Sequence, residues 1–388
     1  MHSPRGPIFV ALMLAGCNPS FADSTVDYST GGGWTSNIFQ DPTALPAAFG
    51  EAKLGLRGSL DLEDSHFAYG LTTSVRRVPK YDFADQRTLG GEIGYTHDLS
   101  KTMKLTLKGG LEYRRSGDIF LSLPGLLIGY RKADIAAATS VGLTDERWGG
   151  KNHVTAAVSN LNRGKAHFTL RGLRPTQLEA GNTLYEVSGG HIRPLLGGEV
   201  GVTVQYRTNH IDRWEQKTFG QFPAETLRGS LAYGRAFKNG ITVMAEAGIV
   251  GVFSPYLGKT VERARPFLKG EAAWQVSKKT VLKAKLTRDI QLADVDDSLG
   301  EDVRTVGLSL EKALTEKLKF GLAFEQAYSD WLYFDYRTRT KSLSASLTYT
   351  FAKGATAALE YSRLIRRETD KAADFEVDGL AARLSGSF

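Results

Sequence analysis

Glu51 to Leu62 reads EAKLGLRGSLDL: Leu54, Leu56, Leu60 and Leu62 occupy even positions, and Glu51, Lys53, Arg57, Ser59 and Asp61 occupy odd ones. Successive side chains of a β-strand point to opposite faces, so this segment has one greasy face and one wet face. Met103 to Arg114 (MKLTLKGGLEYR) repeats the pattern, with Met103, Leu105, Leu107, Leu111 and Tyr113 opposed to Lys104, Thr106, Lys108, Glu112 and Arg114. One strand of this kind suits a soluble antiparallel sandwich equally well. Repetition decides between them. Alternating segments of roughly ten residues or more follow one another from Val26 onward, which is the pattern of a transmembrane β-barrel.

The connections carry a second signal. Short ones fall at 63–65, 100–102, 238–240, 277–279, 315–317 and 353–354, and longer polar ones at 40–48, 212–223, 254–263, 293–302 and 329–337. Outer-membrane barrels have short periplasmic turns and longer extracellular loops. Counting back from Phe388 with the carboxyl end in the periplasm, every connection keeps its sense. The stretch Ile119 to Gly181 admits two readings, because Asn160 to Lys165 (NLNRGK) interrupts a strand pattern. One long strand over His153 to Leu173, with a bulge, gives about 18 strands, and the other reading gives about 16. The expected fold is therefore all-β: a single closed antiparallel transmembrane barrel of about 18 strands over 23–388, with no soluble domain.

Composition narrows the chemistry. The chain has 388 residues, one cysteine, and 49 basic against 42 acidic side chains, a mixed surface that does not suit nucleic acid. A lone cysteine excludes a disulfide framework or a thiolate cluster. The first residues read as an export signal: His2 and Arg5 precede the ten-residue apolar stretch Pro7 to Gly16, too short to span a bilayer. Two processing sites follow. Ser20-Phe21-Ala22 suits ordinary signal peptidase and gives a signal peptide of 1–22, whereas Leu14-Ala15-Gly16-Cys17 resembles a lipobox, which would give a signal of 1–16 and an acylated Cys17. Beyond Asp23 nothing approaches the length of an apolar transmembrane helix.

The chain ends Leu380-Ala381-Ala382-Arg383-Leu384-Ser385-Gly386-Ser387-Phe388, an apolar alternation with a terminal aromatic that looks like the signal read by the barrel-assembly machinery. Tyr95, Tyr113, Phe237, Trp274, Tyr349, Phe351 and Phe388 fall near strand ends on the greasy face, as interfacial aromatics do.

No catalytic, cofactor or metal motif stands out. The seven histidines show no metal-ligand spacing, and neither a G-x-S-x-G elbow nor a P-loop occurs. The glycine runs Gly31-Gly32-Gly33 and Gly90-Gly91 sit inside strand patterns and read as close packing or a bend in the wall. The acidic stretch Asp294 to Ser298, continued by Glu301 and Asp302, reads as an exposed solvated loop, since Leu299 stands where an EF-hand loop needs glycine. The remaining candidate site is the lumen. Its wet-face cations include Lys53, Arg57, Arg76, Lys104, Lys108, Arg114, Arg207, Arg228, Arg265, Lys269, Lys283 and Lys285. Glu112, Glu246, Glu271, Asp289 and Glu325 stand among the opposing carboxylates, and many of the two signs are expected to pair across strands.

Tyr28 to Pro42 (YSTGGGWTSNIFQDP) resembles the first strand and loop of the β-barrel porins of exopolysaccharide-export loci, and Asp374 to Phe388 is similar to that family's last strand. The resemblance implies a passive, non-enzymatic outer-membrane conduit of a Gram-negative cell that secretes an exopolysaccharide. Its implied partners are a polysaccharide and periplasmic or inner-membrane export proteins, beside the lipid bilayer and lipopolysaccharide. A general or sugar-selective diffusion porin, and a barrel enzyme acting on lipid or surface polymer, are the alternatives.

Overall fold

The computed structural model describes residues 23–81, 84–115, 129–168, 172–254, 264–292, 299–351 and 354–388. The two candidate processing sites, Cys17 included, and the acidic stretch Asp294 to Ser298 lie outside them.

The chain forms β1 (Asp23–Thr35), β2 (Ala47–Leu62), β3 (Ser65–Arg77), β4 (Gln86–Asp98), β5 (Met103–Arg115), β6 (Gly129–Arg131), β7 (Asp134–Arg147), β8 (Gly150–Asn162), β9 (Ala166–Phe168) and β10 (Asn182–Leu195). There follow β11 (Gly198–His210), the short helix α1 (Arg213–Phe219), β12 (Glu225–Ala236), β13 (Ile241–Phe253), β14 (Arg265–Ser277) and β15 (Thr280–Gln291). The chain finishes with β16 (Glu301–Ala313), β17 (Leu318–Trp331), β18 (Arg337–Thr350), β19 (Thr356–Glu368) and β20 (Phe375–Ser387). Eighteen of these strands make one antiparallel sheet, each paired with its chain neighbours, and β6 and β9 pair separately. The sheet closes on itself through β1 and β20, where Asp27 to Thr35 run against Ser387 to Gly379. Closure leaves no strand edge, so every rung of backbone hydrogen bonds is satisfied within the wall.

The glycine run of β1 is what lets this seam close. A Cβ on Gly33 would lie 2.9 Å from the Phe49 ring and against the Leu380 carbonyl, and one on Gly32 would lie 2.8 Å from the Phe49 carbonyl. Phe388 completes the seam at the other end, exchanging backbone hydrogen bonds of 2.9 and 3.0 Å with Val26.

The outward face carries exposed leucines and valines around the circumference, such as Leu107, Val204, Leu308 and Leu347, with Leu231 64% exposed. So continuous an apolar belt is stable only against lipid, which makes the barrel a transmembrane one. No helix among the described residues is long and apolar enough to cross a membrane; the strands do the crossing. Aromatics flank the belt. Tyr95, Phe237, Trp274, Tyr349, Phe351 and Phe388 lie toward the end that bears the termini, while Tyr113 sits at the opposite end of β5.

The expected parity holds, with corrections. The short-turn end also contains two-residue turns at Trp148-Gly149 (φ 55° and 70°) and Leu196-Gly197 (φ 56° and 72°), which the sequence reading did not pick out. Positive φ at both positions is the turn geometry that matches the twist of a hairpin. The long strand expected over His153 to Leu173 is not formed: β8 stops at Asn162, and Ala166–Phe168 leaves the wall to pair with β6. The physical cause is Asp134, which accepts from the Arg163 guanidinium (3.1 Å) and the Gly164 N–H (2.8 Å) and so turns the chain away from the sheet. Glu301 and Asp302, expected in an exposed loop, are buried residues at the start of β16. Asp302 is held there by two Arg288 hydrogen bonds of 3.0 and 2.6 Å, a bidentate pair that makes the burial tolerable.

Candidate functional site: the barrel lumen

Strand alternation places the lumen side chains, and contacts across the interior confirm the assignment. Asp289 of β15 accepts from Arg207 of β11 at 3.0 Å and from Arg228 of β12 at 3.4 Å, reaching past β13 and β14. Side chains of those strands can meet only through the inside. The register then carries the same face around the wall. Arg228 shares a rung with Val250, which shares one with Arg265, and Glu246 shares one with Lys269. Glu271 pairs in register with Lys285, and Gly307 with both Lys285 and Glu325.

All the wet-face candidates fall on this inner surface, and most are neutralised locally. Arg57 pairs with Asp27 (2.6 Å), Lys104 with Asp98 (3.2 Å), and Arg114 with Glu112 (3.9 Å). Lys269 lies 3.7 Å from Glu271, Lys283 2.5 Å from Glu311, and Lys285 3.9 Å from Glu325. Arg76 stacks over the Phe49 ring at 3.8 Å, and Glu246 accepts from the Ser230 hydroxyl at 2.5 Å. Lys53 is exposed to the interior, one rung below Glu51, which binds Arg383 of β20 at 2.6 Å. These exposed pairs hold little stability each, but they keep the interior hydrated and nearly neutral.

The two halves of the lumen differ. Along β7 and β8 the inward positions are Ala136, Ala138, Ser140 and Gly142, facing Thr155, Ala157 and Ser159. Of these, Ala138, Ser140, Ala157 and Ser159 line a cavity of about 910 Å³ together with Arg57, Glu92, Lys108 and Glu186. The adjoining wall, from β11 to β15, is crowded. Arg207, Arg228, Arg265, Phe267 and Asp289 fill its upper half, with Arg228 resting on the Phe267 ring at 4.0 Å.

Above that crowded wall the extracellular ends of β13 and β15 and the adjoining loops form a small apolar core that sequence reasoning missed. Val250, Val252, Ile290, Leu292, Leu299 and Ala224 are buried together, with Leu184, Phe222 and Leu332 against them. Asn209 fastens it: its amide donates to the Leu292 carbonyl at 2.9 Å, and its side-chain oxygen accepts the Ala224 N–H at 2.6 Å. Phe222, after α1, reaches Tyr333 in the β17–β18 loop with ring centroids 5.5 Å apart. The loops thus bridge the mouth from the β11–β12 side to the β17–β18 side. The only advance signal was the scatter of apolar residues in polar connections, such as Phe222, Leu292, Leu299 and Leu332.

Little in the wall suggests chemistry. Ser65 contacts the His97 Nδ1 at 2.8 Å, but this pair sits at the short-turn end and the same nitrogen contacts the Asp64 carbonyl. Among the described residues no group of three histidine, cysteine, aspartate or glutamate side chains is arranged to hold a metal.

No protein-family model matches the sequence, and no curated protein matches it. Solved structures match in fold. The siderophore receptor PirA from Acinetobacter baumannii superposes with a TM-score of 0.54 at 6% identity, over 94% of this chain and 80% of that one. A mutant of the ferric enterobactin receptor PfeA from Pseudomonas aeruginosa gives 0.53 at 9% identity, over 95% and 80%. At such identities the agreement is one of architecture alone, and with the lipid-facing belt it makes this chain an outer-membrane β-barrel.

Proposed function

We propose that the protein is a passive outer-membrane conduit for hydrophilic solutes. The observation that carries this reading is the wall of Ala138, Ser140, Ala157 and Ser159, whose small side chains leave a cavity of about 910 Å³ in the lumen beside locally paired charges. A track without a strong neutral or greasy site lets a polar solute enter and leave. The finer reading is secretion of an exopolysaccharide. It rests on the resemblance of Tyr28 to Pro42 and of the last strand to porins of export loci, and on the locally paired charges that line much of the interior away from the arginine-rich wall.

A second reading, uptake of a small hydrophilic solute, is favoured by the apolar core packed at the extracellular end of the barrel. The neighbours in fold are described as siderophore and ferric enterobactin receptors. Deletion of the gene separates the two readings. Loss of surface polysaccharide with small-sugar uptake intact is the result expected for export. Normal secretion with failure to grow on a scarce solute would replace export by uptake.

A further inference from the structure

The crowded wall holds a cluster of charges that does not neutralise itself. Arg207 and Arg228 share a single carboxylate, Asp289, at 3.0 and 3.4 Å. Arg265 lies on the same rung series as Arg228 through Val250, and among the described residues it has no ion-pair partner. Arg228 leans over Phe267, two residues along β14 from Arg265, so the three arginines lie on neighbouring rungs of one face of the wall. Glu186 stands on the rung opposite Arg207, yet its side chain lines the cavity. Elsewhere in the lumen Arg57, Lys104, Arg114, Lys269, Lys283 and Lys285 each have a carboxylate within 4.0 Å. Here two arginines share Asp289, and Arg265 stands beside them without a carboxylate among the described residues.

Four side chains of this patch form two adjacent rungs, Gln205 opposite Arg228 and Arg207 opposite Thr226. Each has a buried polar atom without a hydrogen-bond partner: the Nε of Arg207 and of Arg228, the Gln205 Oε1 and the Thr226 Oγ1. Arg265 Nε is in the same state. Gln205 and Thr226 are 9% and 1% exposed. Buried polar groups are nearly always satisfied by protein, water or a ligand, so five such atoms on β11, β12 and β14 beside excess positive charge mark a place where water or a polar ligand binds. Guanidinium forks match the planar oxygens of carboxylates and phosphates.

We propose that Arg207, Arg228 and Arg265, with Gln205 and Thr226, form a binding site for an anionic group, a carboxylate or a phosphate, borne by the solute that the lumen carries, and that Asp289 is the counter-ion this group displaces. The proposal deepens the conduit reading by naming the charge of the cargo. Asp289 precedes Ile290 and Leu292, which are part of the apolar core over the mouth. Its release from the arginines therefore removes one of the ties holding β15 to β11, beside the Asn209–Leu292 bond.

The test uses the full-length barrel purified in detergent. Equilibrium titrations with inorganic phosphate and with glucuronate are read beside anion–cation permeability ratios in planar bilayers. Arg207→Gln and Arg228→Gln should each weaken binding of the preferred anion about tenfold or more, as expected when a charged hydrogen bond is lost. Asp289→Asn should strengthen it and raise the anion preference, and Lys238→Gln, in a periplasmic turn, should change neither. Preference for glucuronate points to an acidic sugar, and preference for phosphate to a phosphorylated solute; both support the site. Heat-modifiable mobility certifies that each variant is folded. Saturable binding that is absent from the wild type, or equal in wild type and arginine variants, overturns the site even if the barrel conducts. Binding without conductance leaves the site standing and removes the conduit reading instead.

Discussion

The Phe222 ring lies against Tyr333 with centroids 5.5 Å apart, joining two loops that leave the wall at β11 and β17. Their contact ties the β11–β12 loop to the β17–β18 loop on the extracellular side of the barrel. Replacing both rings, Phe222→Ala with Tyr333→Ala, is expected to raise single-channel conductance while barrel levels stay normal. Conductance equal to wild type would show that this contact does not limit passage.

The β1–β20 seam makes a steric prediction. Gly33→Val places a branched side chain against the Leu380 carbonyl and the Phe49 ring, an overpacking that costs about 1 to 3 kcal/mol or more because backbone must move. Heat-modifiable mobility should be lost or its transition lowered. Gly229→Ala is the control, since a Cβ there meets nothing within 4 Å. Equal behaviour of the two variants would refute the close seam.

Deletion of Phe388 removes the residue that pairs with Val26 at the end of the same seam. Its side chain, 78% exposed, has Tyr28 at 6.1 Å between ring centroids, so little packing within the barrel wall depends on it. A steep fall in membrane insertion with unchanged stability of the inserted fraction is expected if the assembly machinery reads this residue. Normal insertion of the truncated chain would leave Phe388 no role in targeting.

The two faces of the wall can be told apart by substitution. Leu231→Arg, on the lipid side, should cost about 2 to 4 kcal/mol of barrel stability near the midplane, measured by denaturant unfolding in lipid. Ala138→Phe, on the lumen side, should narrow the cavity and reduce flux without that loss. Ser230 also faces inward, but it is buried and hydrogen-bonded to Glu246, so a bulky residue there would disturb the wall before it tested the passage. A stability loss at Ala138 equal to that at Leu231 would mean that the facing is misassigned.

Acylation of Cys17 is decided by labelling. If the lipobox is used, palmitate is incorporated and Cys17→Ala blocks maturation, because only the thiol accepts the lipid. Absence of label from the wild type would assign cleavage after Ala22.

The sequence by itself determined the class of fold, the sense of most strands and the facing of the lumen candidates. Alternation has a period of two, so EAKLGLRGSLDL fixes which side of β2 meets lipid wherever its neighbours lie. Burial of charge in lipid is costly enough to make that pattern regular. It did not determine where β8 ends, because Arg163 and Gly164 leave the wall through Asp134, a residue distant in sequence. Nor did it show that Asp302 would be buried, since Arg288 reaches it only once β15 and β16 are in register. The arginine cluster had the same limit. Arg207, Arg228, Arg265 and Asp289 were each legible as wet-face residues, but alternation gives a residue's face and not its neighbours across the lumen. Closure of the sheet decided that one carboxylate from β15 would serve two arginines from β11 and β12, because only the curvature of the closed wall brings strands that are not paired within reach of one another.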